Sequence, residues 1–188
     1  MLTREGIVLE SLDGKRVERQ PRTITWTAAQ AEKGGYKHFM LKEIHEQPRA
    51  IEDTLRGRVD LAEGDVIGAE LGLDEAAIAK FQRVYFIACG TSANATLYGR
   101  HLVEALSGLP SQCELASEFV GRDPIVGPTD LVVAVSQSGE TLDTLAALKV
   151  AKEKGAQMLA IANVIHSGIP RCAGAAFYTH AGPEIGVA

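Results

Sequence analysis

The 188-residue chain holds three cysteines, Cys89, Cys113 and Cys172, and they lie far apart. No Cys-x-x-Cys pair occurs, which argues against a structural zinc site and against a disulfide framework. A reducing cytoplasm is the simplest setting for such thiols. The histidines, His38, His45, His101, His166 and His180, show no His-x-x-x-His spacing. No metal and no cofactor is therefore expected. Apolar runs are short, as at 131–135 and 158–162, and none approaches the ~18 residues that span a bilayer. The start, Met1-Leu2-Thr3-Arg4-Glu5-Gly6, lacks the apolar stretch of a signal peptide. A net charge of −5 offers no basic surplus, so neither nucleic acid nor an anionic membrane is an expected partner. Two nucleotide signatures are missing as well. Without Gly-x-x-x-x-Gly-Lys-Ser/Thr there is no lysine to reach a β- or γ-phosphate, and without Gly-x-Gly-x-x-Gly after the first buried strand a dinucleotide is disfavoured.

What is present suits a globular protein. Hydrophobic residues make up 46% and charged residues 23%, enough to pack a core over most of the chain. The length fits one domain plus a tail and is short for two α/β domains of ~150 residues. The tail comes first. Residues 6–10 read as a strand, Asp13-Gly14 as a turn and residues 16–19 as the returning strand of a hairpin. Residues 23–27 form a further β-prone stretch with Trp26 as packing anchor, and a charged segment ending in Gly34-Gly35 reads as a linker. A helix is predicted over 36–58, with Met40, Ile44, Ile51 and Leu55 on one apolar face. Pro48 lies on that stripe and either kinks the helix or starts a second one. Residues 60–74 read as loop and 75–81 as a short helix.

From residue 84 the pattern alternates between strand and helix. Strands are predicted at 84–88, 112–116, 131–135, 158–162 and 175–179, and helices at 93–106 and 141–154, with Gly155 as the stop of the latter. Such alternation implies right-handed βαβ crossovers and a parallel sheet.

Two loops carry the chemistry. Cys89-Gly90-Thr91-Ser92 follows the first buried strand, and Ser136-Gln137-Ser138-Gly139-Glu140-Thr141 follows the third. In a 2-1-3-4-5 strand order they face each other at the topological switch point, where open α/β sheets hold ligands. Together they offer five hydroxyls, two glycines that free backbone N–H groups, and two helix N-termini. That set suits a phosphate monoester held by neutral donors. Either loop alone is also an ordinary helix cap; the pair on alternate strands favours the ligand. Glu43 and Glu46 read as a solvated face paired with Lys42. Glu140 reads as a helix N-terminal charge complement, and Glu184 as a residue near the loops able to order hydroxyls or carry a proton. Cys89 reads as a small buried residue rather than a nucleophile.

The segments 88–92 (ACGTS), 114–119 (ELASEF), 136–141 (SQSGET) and 184–188 (EIGVA) occur in the order found in sugar isomerase (SIS) domains. With residues 37–48 (KHFMLKEIHEQP) the chain most resembles the first of the two such domains in the glutamine–fructose-6-phosphate aminotransferase (isomerizing) family. The resemblance implies a three-layer, flavodoxin-like α/β fold. Its parallel five-stranded sheet would follow an N-terminal helical segment and a short β-prone tail. It further implies that residues 1–35 are the end of a glutaminase domain and a linker, and that 36–188 are a first SIS domain stopped one helix early. Hexose 6-phosphate would bind through Ser136, Gln137, Ser138 and Thr141 at the phosphate, Cys89, Gly90, Thr91 and Ser92 along the sugar, and Val187 by backbone contact, with Gly139 also among the substrate-binding residues.

The family's catalytic glutamate, lysine and histidine have no matching position, so no catalytic residue is expected here. Glutamine would act only through a glutaminase domain outside this segment. A homo-oligomer is expected, because SIS domains pair and the absent last helix would bare one sheet face. Two alternatives remain open on the residues alone: a stand-alone sugar-phosphate sensor, and a one-domain aldose–ketose isomerase.

Overall fold

A computed structural model describes residues 6–19, 32–71 and 75–186. The N-terminal hairpin is there: β1 (Leu9–Glu10) pairs antiparallel with β2 (Arg16–Val17) around Gly14, whose φ is +79°. The 23–27 stretch with Trp26 lies outside the described residues, as does Val187.

Helix α1 spans Phe39–Leu55 and runs through Pro48. Gly57, with φ +74°, stops it as its permissive backbone allows. Its orientation reverses the sequence expectation. The apolar stripe faces outward, with Met40 41% and Ile51 59% exposed, while Lys42 is buried and Glu43 and Glu46, read as a solvated face, are half-buried. Amphipathic periodicity shows that two faces exist; it does not say which one packs inward.

The 60–74 stretch is not all loop. β3 (Val59–Asp60) and β4 (Asp65–Val66) form a small antiparallel hairpin, followed by a 3-10 turn at Gly68–Leu71. Asp60 Oδ1 accepts the N–H groups of Ala62 and Glu63 at 2.9 and 3.2 Å, the side-chain-to-backbone bonding that lets Asp nucleate a turn. A one-turn helix, α2 (Glu75–Ile78), comes next.

The central sheet is parallel and five-stranded. Its strands are β5 (Arg83–Ala88), β6 (Ser111–Leu115), β7 (Asp130–Ser136), β8 (Gln157–Ala162) and β9 (Ala176–Tyr178). The spatial order is β6-β5-β7-β8-β9, the expected 2-1-3-4-5. α3 (Gly90–Ser107) links β5 to β6, and α5 (Leu142–Glu153) links β7 to β8. Two short helices were not foreseen. α4 (Ala116–Gly121) buries Ala116 and Phe119, and α6 (Gly168–Ala173) carries Pro170 in its first turn, where the missing N–H is harmless.

Alternate residues of the buried strands face opposite layers. Tyr85, Ile87, Val132, Ala134 and Ala160 pack with Phe119, Ala147, Leu148, Ala151 and Ile169 from α4, α5 and α6. On the other face Val84, Phe86, Leu131 and Val133 pack with Phe81 and with Val103 of α3. The result is the three-layer, flavodoxin-like α/β fold with a parallel five-stranded sheet that the sequence implied.

Candidate functional site

β5 and β7 are neighbours in register, Ala88 opposite Val135. Their carboxyl ends therefore deliver both loops to one place. Cys89 is the N-cap of α3, and Gly90, Thr91 and Ser92 form its first turn. Ser136 ends β7, and Thr141 is the N-cap of α5. Neither cap residue makes a side-chain capping bond. The N-terminal N–H groups of both helices thus stay available, along with their positive dipole ends.

Cys89, Gly90, Thr91, Ser92, Ser136, Gln137, Ser138 and Thr141 all line one open cleft of about 490 Å³. Glu184 and Ile185 add a further wall, and Val135 also lines the cleft. Gly139 lies beneath the loop and is buried. Its φ is +66°, and a Cβ there would come within 1.8 Å of Ser167 Oγ, so only glycine fits. Ser136 Oγ accepts the Gly139 N–H at 3.1 Å and shares a hydrogen bond with Thr141 Oγ1 at 3.2 Å. Ser138 Oγ accepts the Glu140 N–H at 3.3 Å. The loop is thus braced from within, a rigid cradle rather than a set of loose hydroxyls.

Surrounding groups fasten it further. The carbonyls of Gln137 and Gly139 accept N–H groups from Asn163 and Ile169, at 3.1 and 2.8 Å. Glu140 Oε1 accepts the Gly168 N–H at 2.7 Å, so its charge complements the start of α6, not of its own helix. Cys89 Sγ sits 3.7 Å from Thr144 Oγ1 and is half-buried, in keeping with a packing role at the cleft floor.

A second, smaller cavity of about 250 Å³ adjoins the cleft and shares Ser92, Ser136, Gln137 and Glu184 with it. Its far wall is the inward face of α1, including Glu43, Glu46 and Gln47. The sequence reading of Glu43 as solvated is overturned here: Glu43 Oε1 accepts the N–H groups of both Ile185 and Gly186 at 2.7 Å. Lys42 does pair with Glu46, at 3.6 Å. Asn163 was also missed. Its Oδ1 accepts the Ala181 N–H at 2.7 Å and the Thr179 hydroxyl at 3.2 Å, and its Nδ2 donates to the Gly182 carbonyl at 2.5 Å. Asn163 follows directly on β8, so the rule that ligand loops follow parallel strands could have found it. No comparable signal marked Glu43.

Burial pushes the Glu184 carboxyl above its ordinary value, and the nearby Glu43 carboxylate pushes it the same way. Among the described residues no cluster of His, Cys, Asp or Glu has the arrangement to hold a metal ion, and no helix is long and apolar enough to cross a membrane.

Comparison with known proteins agrees with this geometry. The SIS domain family matches residues 77–188. All of the chain aligns with a glutamine–fructose-6-phosphate aminotransferase (isomerizing) of Symbiobacterium thermophilum, at 52% identity over 31% of that protein. The Thermus thermophilus protein of the same name is 49% identical over 30% of its length. The chain thus spans about a third of these curated relatives. Among solved structures, the C-terminal domain of glucosamine-fructose-6-phosphate aminotransferase from Francisella tularensis superposes with a TM-score of 0.73. It is 38% identical and covers 82% of this chain and 42% of that one. Strand order, switch-point cleft and sequence all converge: the chain belongs to the SIS domain family, and its whole length corresponds to a segment of the glutamine–fructose-6-phosphate aminotransferases.

Proposed function

We propose that the cleft binds a hexose 6-phosphate, and that the chain is the substrate-binding first SIS domain of an enzyme making glucosamine 6-phosphate from fructose 6-phosphate and glutamine. The observation that carries the reading is the convergence of Thr91, Ser92, Ser136, Ser138 and Thr141 with two uncapped helix N-termini on one cleft. A phosphate dianion in that place meets neutral donors and two positive dipole ends, with no lysine needed. The sugar would extend along Cys89–Ser92 toward the Glu184–Ile185 wall, and the family resemblance adds a backbone contact from Val187.

The domain boundary near residue 35, with the N-terminal hairpin as the end of a glutaminase unit, belongs to the same proposal. Ammonia from glutamine and the acid–base steps would come from the two thirds of such an enzyme that this segment does not span. Self-association is part of the reading too, supported by the outward apolar stripe of Met40, Ile44, Ile51 and Leu55.

Calorimetry with fructose 6-phosphate and with unphosphorylated fructose tests the assignment. The phosphorylated sugar should bind and fructose should not. Replacing Ser138 by Ala and Thr141 by Val together should weaken binding by at least ~10-fold, since a hydrogen bond to a charged group contributes about 1.5–3 kcal/mol. Equal binding of both sugars, or no effect of the double substitution, would overturn the phosphate site.

A further inference from the structure

We propose that Glu43 is a positioning residue for the bound sugar, holding the 184–186 wall at a fixed distance from the phosphate cradle. This rests on the hexose-phosphate reading of the cleft.

Residues 179–186, after β9, have no regular secondary structure, yet residues 184 and 185 form one side of the cleft. A backbone segment of this kind needs partners outside itself. Asn163 supplies them at the near end. It bonds to Thr179, Ala181 and Gly182, and its own N–H bonds to the Gln137 carbonyl of the cradle. Glu43 supplies them at the far end, one carboxylate oxygen taking both the Ile185 and the Gly186 N–H. Bonds to an ionised acceptor are roughly twice as strong as neutral ones. These two span more than 140 residues of sequence, so they fix tertiary placement rather than a local turn.

Backbone packing points the same way. A Cβ on Gly186 would lie 2.4 Å from the Met40 amide nitrogen, so the wall rests directly on the first turn of α1. The outward apolar stripe does not explain why α1 sits there, whereas its inward carboxylate does. Glu43 thereby sets the width of the cleft. The phosphate contacts lie in the 136–141 loop, whereas the two Glu43 bonds go to Ile185 and Gly186, so its influence falls on the sugar end of the ligand.

The test compares the unmodified chain with Glu43→Ala and Glu43→Gln. It uses titrations of fructose 6-phosphate and of inorganic phosphate, together with amide hydrogen exchange. Glu43→Ala should weaken fructose 6-phosphate binding by about 10-fold and leave inorganic phosphate within about 2-fold. It should speed exchange at Ile185 and Gly186 by about 10-fold or more. Glu43→Gln keeps the acceptor oxygen and should recover most of both losses. Unchanged sugar binding and exchange in Glu43→Ala would overturn the proposal, as would an equal loss for both ligands that Gln does not rescue. An unmodified chain that binds neither ligand would instead overturn the hexose-phosphate reading and the sugar role with it. Exchange at Ile185 and Gly186 would still report separately whether Glu43 holds the wall.

Discussion

Glu184 shows how a single residue can cost the fold something to keep. Its carboxyl is held above the ordinary value by burial, and next by the charge of Glu43. The folded state therefore binds more protons than the unfolded chain between the ordinary and the raised value. Stability linked to this group is fully present below the ordinary carboxylate value and is lost as pH rises through the raised one. At pH 7 the charged form is a burden, so Glu184→Gln should raise the melting temperature there by roughly 1–3 °C. At about pH 4, near the unperturbed carboxylate range, the two proteins should melt together. A gain that persists equally at both values would mean the effect is not electrostatic. Such a residue was partly legible: its nearness to the loops followed from its position after the last strand, but its burial against α1 did not. The hydroxyls and glycines of the two loops were fully legible, because their placement needs only the strand ends and the topology. Glu43 was not, since its role depends on which face of α1 turns inward.

At the scale of elements, the strands and long helices of the sheet were readable because buried parallel strands are continuous apolar runs and α5 carries a clear stop at Gly155. The misread elements are short or polar. The β3–β4 hairpin offers two-residue strands without an apolar pattern, and α4 and α6 are six residues each. α1 was found but turned around, because polar anchors and not apolar burial hold it. Glu43 grips its first half, and Arg58, just beyond its end, grips β9. The buried Arg58 donates from Nη1 to the carbonyls of Thr54 at 2.8 Å and Tyr178 at 2.6 Å, and its guanidinium stacks 4.2 Å from the centre of the Phe177 ring. Losing charged hydrogen bonds and the stacked cation together should be felt well beyond a surface change. Arg58→Ala is expected to lower unfolding stability by about 2–3 kcal/mol, read by urea denaturation. Limited proteolysis should then cut within α1 before it cuts the sheet. Arg58→Lys should recover little, since an ammonium does not reproduce the planar fork or the stacking. A full recovery by Lys would show that charge alone anchors the helix.

For the molecule as a whole, the question is whether binding and turnover reside in the same 188 residues. The cleft contains hydroxyls, backbone N–H groups and the Gln137 amide, with Cys89 and Glu184 as its ionisable side chains. Moving a proton between C1 and C2 of a sugar requires a base within hydrogen-bond reach of that carbon, and adding ammonia requires a means to open the ring and activate the carbonyl. Cys89 faces Thr144 at the cleft floor, and the Glu184 carboxyl belongs to a wall whose place is set by Glu43 and Asn163. Neither arrangement pairs an acid with a base across a reacting bond. The segment is also only about a third as long as the aminotransferases it matches. It should therefore bind fructose 6-phosphate yet form no glucosamine 6-phosphate from fructose 6-phosphate and ammonia over hours, followed by chromatography of the amino sugar. Product formation that disappears in Glu184→Gln would place the base in this cleft and make the segment a catalyst in its own right. Product formation indifferent to Glu184 but lost with Ser138→Ala and Thr141→Val would point to a base elsewhere in the chain. On the proposed function, binding without turnover would leave the SIS fold here with one task, to present the sugar phosphate in a fixed orientation.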